Sequence, residues 1–347
     1  MHVDWAIVLF ATLVAFTVGL TGMGGGALMT PVLLIFFHVL PTAAVSSDLV
    51  AAMVMKPVGG GVHIRRRTVR WELVKPLCIG SIPAAFAGVF LLRAAGEEPI
   101  QSITKVLLGV TLLLAAAAMV LRAWLQGRRN SVSSSKGRGN DRSRTPIRVR
   151  IAPTILVGAI GGLIVGLTSV GSGSIIIVCL MLLYPELRGA ELVGTDLVQA
   201  IPLVSSAALA HILVGDFELG LTVSILLGAL PAVYVGARLS ARAPDWLIRP
   251  VLVVMLFSSA LKLLDVPTAT LGLLLLAFAL LALPMWGATD AASHAVSTWE
   301  SLGRSRSNWI KLQAWLAPVG IGFGVAIAYF AWTRPQLVQV ARDAALA

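Results

Sequence analysis

Ten apolar runs divide the chain, at about residues 3–37, 44–63, 72–93, 101–124, 151–183, 191–213, 217–240, 246–264, 267–287 and 313–332. Most have the length of one membrane crossing, since roughly 20 apolar residues span a bilayer core. The first and fifth are too long, and as continuous helices they would measure about 50 Å at roughly 1.5 Å per residue. Each carries a glycine cluster at its middle, so each is expected to be a helix–break–helix element, re-entrant or fully spanning. Irregular backbone at membrane depth is tolerated only where it is buried in protein or lines a cavity.

The polar positions repeat. Asp48, His63, Gly80, Pro83 and Gly88 in the first half match Asp196, His211, Gly228, Pro231 and Gly236 in the second, every pair 148 positions apart. Ahead of each set lies a glycine-rich stretch, Gly19-Leu-Thr-Gly-Met-Gly24-Gly-Gly26 against Gly166-Leu-Thr-Ser-Val-Gly171-Ser-Gly173, at a spacing of 147. A duplicated membrane unit whose hydrophobic segment is broken by glycine at the same place in each half marks a secondary transporter.

Composition identifies the solvent. Hydrophobic residues make up 57% of the 347 and charged residues 12%, with a mean hydropathy of +0.89. A soluble chain of this length needs more charge to cover its surface, so this is a polytopic membrane protein. The net charge of +11 lies in loops and reads as a topology signal facing anionic cytoplasmic lipid, not as a nucleic-acid surface. Cys78 and Cys179 fall in apolar runs with no metal or redox spacing and read as small buried hydrophobes. The first run has no basic region before Trp5 and no cleavage signal after it, so it is expected to be retained and not to serve as a secretory signal.

Charge also distinguishes the halves. The loop after the second run is basic (Arg65, Arg66, Arg67, Arg70), whereas its equivalent is acidic (Asp216, Glu218). The loop after the third run is acidic on balance (Arg93, Glu97, Glu98), whereas its equivalent is basic (Arg238, Arg242, Arg249). By the positive-inside rule the halves should be inserted upside down relative to each other. The expected fold is therefore all-α: two inverted repeats, residues 1–124 and 151–264, each with a Gly-broken helix. A basic, disordered, cytoplasmic linker (125–150) joins them, and 265–347 adds two transmembrane helices. From Arg122 to Arg150 the linker region holds nine Lys/Arg and one acid, Asp141. Between the last two runs, 288–312 is expected to form a polar loop or a surface-lying helix bearing Trp299 and Trp309.

The stretch Gly194-Thr-Asp-Leu197, Ala210-His211, Gly215-Asp-Phe217, Gly228-Ala-Leu-Pro231 and Gly236-Ala-Arg-Leu239 resembles the TauE/SafE family of sulfite and organosulfonate exporters. So does its counterpart from Ser46-Ser-Asp-Leu49 through His63 to Gly88, and the resemblance covers roughly residues 5–264. It implies a permease of the cell membrane that exports sulfite or an organosulfonate, without enzyme activity, metal or other cofactor. The partners it implies are the small anion and membrane lipid, with no nucleic acid and an oligomeric state left open. With an inside-negative potential anion efflux is electrically downhill, by about 2.3 kcal/mol per charge per 100 mV. A passive anion channel on the same scaffold and a non-transporting membrane scaffold or assembly protein are the competing classes.

A broken helix at mid-membrane exposes backbone N–H groups and a positive dipole end, both suited to an anion. The candidate binding residues are Thr21, Gly22, Gly24 and Gly25 in the first break, with Thr168, Ser169, Gly171, Ser172 and Gly173 in the second, and Ser174 adding a hydroxyl. Small residues that merely permit tight helix packing are the alternative. Lys56, inside the second run, is a cation whose repeat equivalent is Val204; it either attracts the anion, pairs with Asp48, or snorkels to an interface. Asp48 and Asp196 are either N-caps of their helices or proton-carrying acids that couple transport. His63 and His211, near the ends of those helices, are either hydrogen-bonded neutral side chains or proton relays.

Overall fold

A computed structural model describes residues 3–21, 25–94, 96–133, 147–187, 189–215, 217–239 and 245–267; of the C-terminal stretch it describes 269–270, 272–274, 280, 284, 287–288, 291, 296–316, 325–326 and 328–346. All regular structure among them is helical. Both long apolar runs are broken where their glycines fall. The first gives α1 (Trp5–Thr21) and α2 (Gly26–Phe36), the fifth α6 (Ile151–Thr168) and α7 (Ile175–Leu183). The remaining helices are α3 (Pro41–Arg65), α4 (Trp71–Arg93), α5 (Glu97–Ser133), α8 (Gly189–Val214), α9 (Leu219–Leu239) and α10 (Asp245–Leu263). Helix α5 therefore continues past position 124, where the linker was expected to begin. Among the described residues, five helical stretches are long and apolar enough to cross a membrane: Trp71–Arg93, Ile100–Arg122, Ile151–Thr168, Gly189–Val214 and Leu219–Gly236.

One compact unit comprises residues 1–119, 145–248 and 255–266. In it the two halves of the chain are interleaved: α1 of the first lies along α9 of the second, α6 of the second lies along α4 of the first, and α3 packs against α8. Glycine makes these approaches possible. A Cβ at Gly80 would strike the backbone of Ile155 and Ala159, and one at Gly228 the backbone of Val8 and Thr12. Val8 and Thr12 are the 147-position equivalents of Ile155 and Ala159, so the same contact is made twice with the halves exchanged. Facing residues reciprocate, since Gly158 and Gly162 of α6 sit on the backbones of Leu77 and Ser81. Without a hydrophobic drive between helices in lipid, such backbone-to-backbone contact is what holds them together.

The side-chain distribution is apolar outward and polar inward. Leu9 and Leu13 of α1, Ile160 and Leu163 of α6, and Leu227 and Val235 of α9 are exposed, while Asp48, Lys56, Asp196 and Gln199 are buried. This is the arrangement of a multi-pass membrane protein, whose outer face meets hydrocarbon. Cys78 and Cys179 are free thiols, each partly buried.

The second unit comprises residues 120–144, 249–254 and 267–347. It contains the short helices α11 (Val296–Ser301) and α12 (Arg306–Leu316) and a π-helical turn at Tyr329–Thr333 that runs into α13 (Arg334–Leu346). Trp299 does not lie on a surface: it is fully buried and stacked on Tyr329, with ring centroids 6.1 Å apart. The expected span at 267–287 falls largely outside the described residues.

The glycine contacts predict a graded stability series. Replacing Gly162 by Leu forces a side chain into the Ser81 backbone and should destabilise the protein by about 3 kcal/mol or more. Gly61→Ala meets nothing within 4 Å and should be neutral or stabilising by about 0.5–1 kcal/mol. Thermal unfolding of both variants in detergent separates the two outcomes.

Candidate functional site

The site is built around the second break. Helix α6 ends as Ser169 enters the left-handed region, at φ 59°, its N–H bonded to the Val165 carbonyl at 2.7 Å. Gly171 and Gly173 follow at φ 121° and 93°, a backbone only glycine adopts without strain. The chain then re-enters helix with the N–H groups of Ser174, Ile175 and Ile176 converging on the Gly171 carbonyl, at 3.4, 3.1 and 3.5 Å. These donors are thus turned inward to a backbone acceptor, and side chains carry the polar chemistry of the break. Thr168 spends its hydroxyl on the Ile164 carbonyl at 2.7 Å. Ser169 and Ser172 instead point across to α3.

There the break is held at two points. Lys56 Nζ donates to Ser172 Oγ at 2.6 Å, and Ser169 Oγ donates to Asp48 Oδ2 at 2.5 Å. Asp48 Oδ2 also accepts from Thr30 Oγ1 of α2 at 3.3 Å, whereas Asp48 Oδ1 is buried with no hydrogen-bond partner. Asp48 and Lys56 are eight positions apart on α3, about 12 Å along its axis, so a single helix presents one anion and one cation to the same short break. Lys56 is 8% exposed and Asp48 fully buried, which excludes snorkelling to an interface. The ammonium is bound by Ser172 rather than paired with Asp48.

The first break meets the second. Gly26, the first residue of α2, lies so close to Ser169 that a Cβ would overlap that residue's carbonyl and hydroxyl. Gly25 lies near Met55, the neighbour of Lys56 on α3. The candidates Gly22 and Gly24, and the side chain of Thr21, lie outside the described residues. The described end of the first glycine-rich segment, Gly25 and Gly26, therefore lies against Met55 of α3 and Ser169 of the second break.

Asp48 and Asp196 do not cap helices. Helix α3 begins at Pro41 and α8 at Gly189, so each aspartate lies two turns inside its helix, and both are buried. Pro41 with extended Leu40 before it starts α3 without a side-chain cap, which removes the need for one at Asp48. Asp196 is buried on α8, the helix that packs against α3 and so against the Asp48 and Lys56 helix. The histidines part company. His211 is buried with Nε2 donating to the Gly166 carbonyl at 3.0 Å, tying α8 to the last turn before the break. His63 is partly exposed near the end of α3, with Nδ1 2.9 Å from Thr68 Oγ1.

Two features escaped the reading of the chain. Arg70 and Glu191 form an ion pair, with Nη2 at 2.8 Å and Nε at 2.9 Å from Glu191 Oε1, and both side chains are almost wholly buried. The Arg70 N–H also donates to Thr195 Oγ1 at 3.0 Å, so the starts of α4 and α8 are pinned together. In the sequence Arg70 stands out only as one of the basic loop residues that set topology. The repeat alignment held a hint, since the equivalents, Glu218 and Ala43, form no such pair of charges. Gln199 is the second, fully buried with Nε2 donating to Ser81 Oγ at 2.9 Å and Oε1 unpartnered. Among the described residues no cluster of His, Cys, Asp and Glu could hold a metal ion. An open apolar groove of about 620 Å³ between α4 and α6, lined by Ala84, Gly88, Ile160 and Leu163, offers no polar group to an anion.

A multi-pass helical protein with two convergent broken helices and a buried cation belongs to the membrane-transporter class, and comparison with known proteins bears this out. The model of the family described as "Sulfite exporter TauE/SafE" matches residues 7–263, and the chain belongs to that family. It is 36% identical over 261 residues to the "Probable membrane transporter protein YjnA" of Bacillus subtilis (strain 168), covering 75% of this chain and 99% of that protein. It is 24% identical over 241 residues to the "Probable membrane transporter protein YdhB" of the same organism, covering 69% and 91%. No solved structure matches.

The Arg70–Glu191 pair makes a prediction of its own. Glu191→Gln leaves a buried guanidinium short of its counter-charge and should cost about 3–5 kcal/mol of stability. The exchanged pair, Arg70→Glu with Glu191→Arg, should recover part of that loss. Unfolding midpoints of the single and double variants give the coupling.

Proposed function

We propose that this protein is a secondary transporter that exports sulfite or an organosulfonate across the cytoplasmic membrane, by alternating access around the point where the two broken segments meet. The observation that carries the reading is the Lys56–Ser172 hydrogen bond, at the break whose Ser169 touches Gly26 of the other half. A buried ammonium needs an anionic partner or a polar cavity, and a single serine hydroxyl satisfies only part of its donor capacity. A sulfonate or sulfite group, with three oxygens, accepts from Lys56 and from Ser172 and Ser169 together. Of the remaining candidates, Gly22, Gly24, Gly25, Gly171 and Gly173 have no side chain to keep the backbone from such an anion, and Thr21 would offer a hydroxyl donor. Membership of the sulfite exporter family supports sulfite as the first substrate to test.

The interleaved packing of α1 on α9 and α6 on α4 supports a two-fold relation between the halves. Together with the opposite loop charges it favours inverted repeats, the 125–150 segment on the cytoplasmic side, and placement in the cell membrane. Alternating access then exchanges the two halves' roles about the α3–α8 contact.

Release of labelled sulfite from proteoliposomes tests the reading. Saturable release should be inhibited by sulfonates and should fall at least tenfold in Lys56→Ala, with a smaller fall in Ser172→Ala. Release that is saturable but indifferent to both substitutions would remove the break from the substrate path. No release of sulfite or any sulfonate from folded protein would leave the scaffold without this cargo.

A further inference from the structure

The anion site carries its own counter-argument, because the buried charges around it do not sum in an anion's favour. One cation, Lys56, is set against two carboxylates, Asp48 of α3 and Asp196 of α8, all three buried, with α8 packed against α3. With all three ionised the locus is net negative and repels the anion it is meant to hold. The other groups near it do not redress the balance. Helix α2 contributes only the hydroxyl of Thr30, and the break contributes Ser169 and Ser172. On α8, His211 is turned to the Gly166 carbonyl and Glu191 to Arg70. Helix α9, also packed on α3, has Arg238 stacked over Tyr234 at 4.6 Å on its exposed side.

We infer that Asp48 is the proton site of the transporter and that the anion binds together with a proton on its carboxylate, so that the two ions move in the same direction. The inference rests on the reading of the break as the anion site. The geometry supplies the coupling. Asp48 Oδ2 holds the Ser169 hydroxyl and the Thr30 hydroxyl, while Oδ1 is buried without a partner and can take the proton. An ionised Asp48 engages the donor of Ser169 and adds a like charge beside the anion. A protonated Asp48 is a weaker acceptor, so Ser169 is released to donate to the substrate, and the like charge is gone. Both effects have the same sign, and by linkage the bound anion raises the affinity of Asp48 for its proton equally. On the release side the anion leaves, Asp48 gives up its proton to that side, and Ser169 returns to the carboxylate. A monoanion moving with one proton carries no net charge, so the anion and pH gradients set the direction and the membrane potential does not.

Calorimetric binding of methanesulfonate to the purified protein tests this, because a strong-acid anion cannot itself carry the proton across the working pH range. Repeating the titration in buffers of different ionisation enthalpy counts the protons taken up. Uptake should approach one proton per anion, and affinity should rise as pH falls, by at most about tenfold per pH unit. In Asp48→Asn the uptake should vanish and the affinity should become flat with pH. Binding by the native protein with no proton uptake, or with release, overturns the inference while leaving the anion site intact. Undiminished uptake in Asp48→Asn moves the proton to another group and overturns the assignment to Asp48. Should that variant not fold, the native measurement alone decides the sign. No methanesulfonate binding at any pH removes the sulfonate site, and the inference with it.

Discussion

A break in a helix at membrane depth leaves backbone and side-chain polar groups that hydrocarbon cannot satisfy, so protein must satisfy them. Everything at the centre of this molecule answers that constraint. Gly171 collects the N–H groups that open α7, Thr168 folds its hydroxyl onto the backbone, and α3 supplies one acceptor and one donor for Ser169 and Ser172. The glycines that let α6 lie against α4, and α1 against α9, bring the elements near enough for those bonds to form.

The halves are similar in backbone and different in chemistry. Position for position, the second break carries Ser169 and Ser172 where the first has Gly22 and Gly25. The first half answers with Lys56, where the second has Val204. The hydroxyls thus come from one half and the cation from the other, and they meet because α3 crosses to the opposite break. Neither half alone would hold the pair. The Arg70–Glu191 bridge follows the same logic, joining the start of α4 to the start of α8 with no equivalent charge pair at Glu218 and Ala43. The two halves are therefore not chemically equivalent about their contact.

Duplicate architecture with unequal chemistry also accounts for the acids. Asp48 and Asp196 are the strictly repeated pair, yet neither serves the local backbone as a cap. Buried carboxylates two turns inside a helix are costly in a membrane protein, and Asp48 shares its helix with the buried Lys56 ammonium.

Much of this was legible in the chain itself. Apolar runs too long for one crossing, each with glycine at its centre, could only be broken helices, because the bilayer sets the length and glycine sets the weak point. The interval of 148 positions announced a duplication, since chance does not space five breaker and polar residues alike. Which residues touch was not legible. For Asp48 the chain leaves a cap and a proton-carrying acid both open, since an aspartate near the start of an apolar run suits a cap, and only the true start of α3 at Pro41 removes the cap. Trp299 read as a surface residue because its neighbours are polar, and only the ring of Tyr329 showed it buried. Lys56 and Ser172 are 116 residues apart, and Arg70 and Glu191 are 121 apart. Pairings of that kind depend on how the halves interleave, which one-dimensional spacing does not encode. Span lengths and the places of the breaks were settled by the sequence, because the bilayer fixes the one and glycine the other; the partners of the buried charges were decided by the packing of one half through the other.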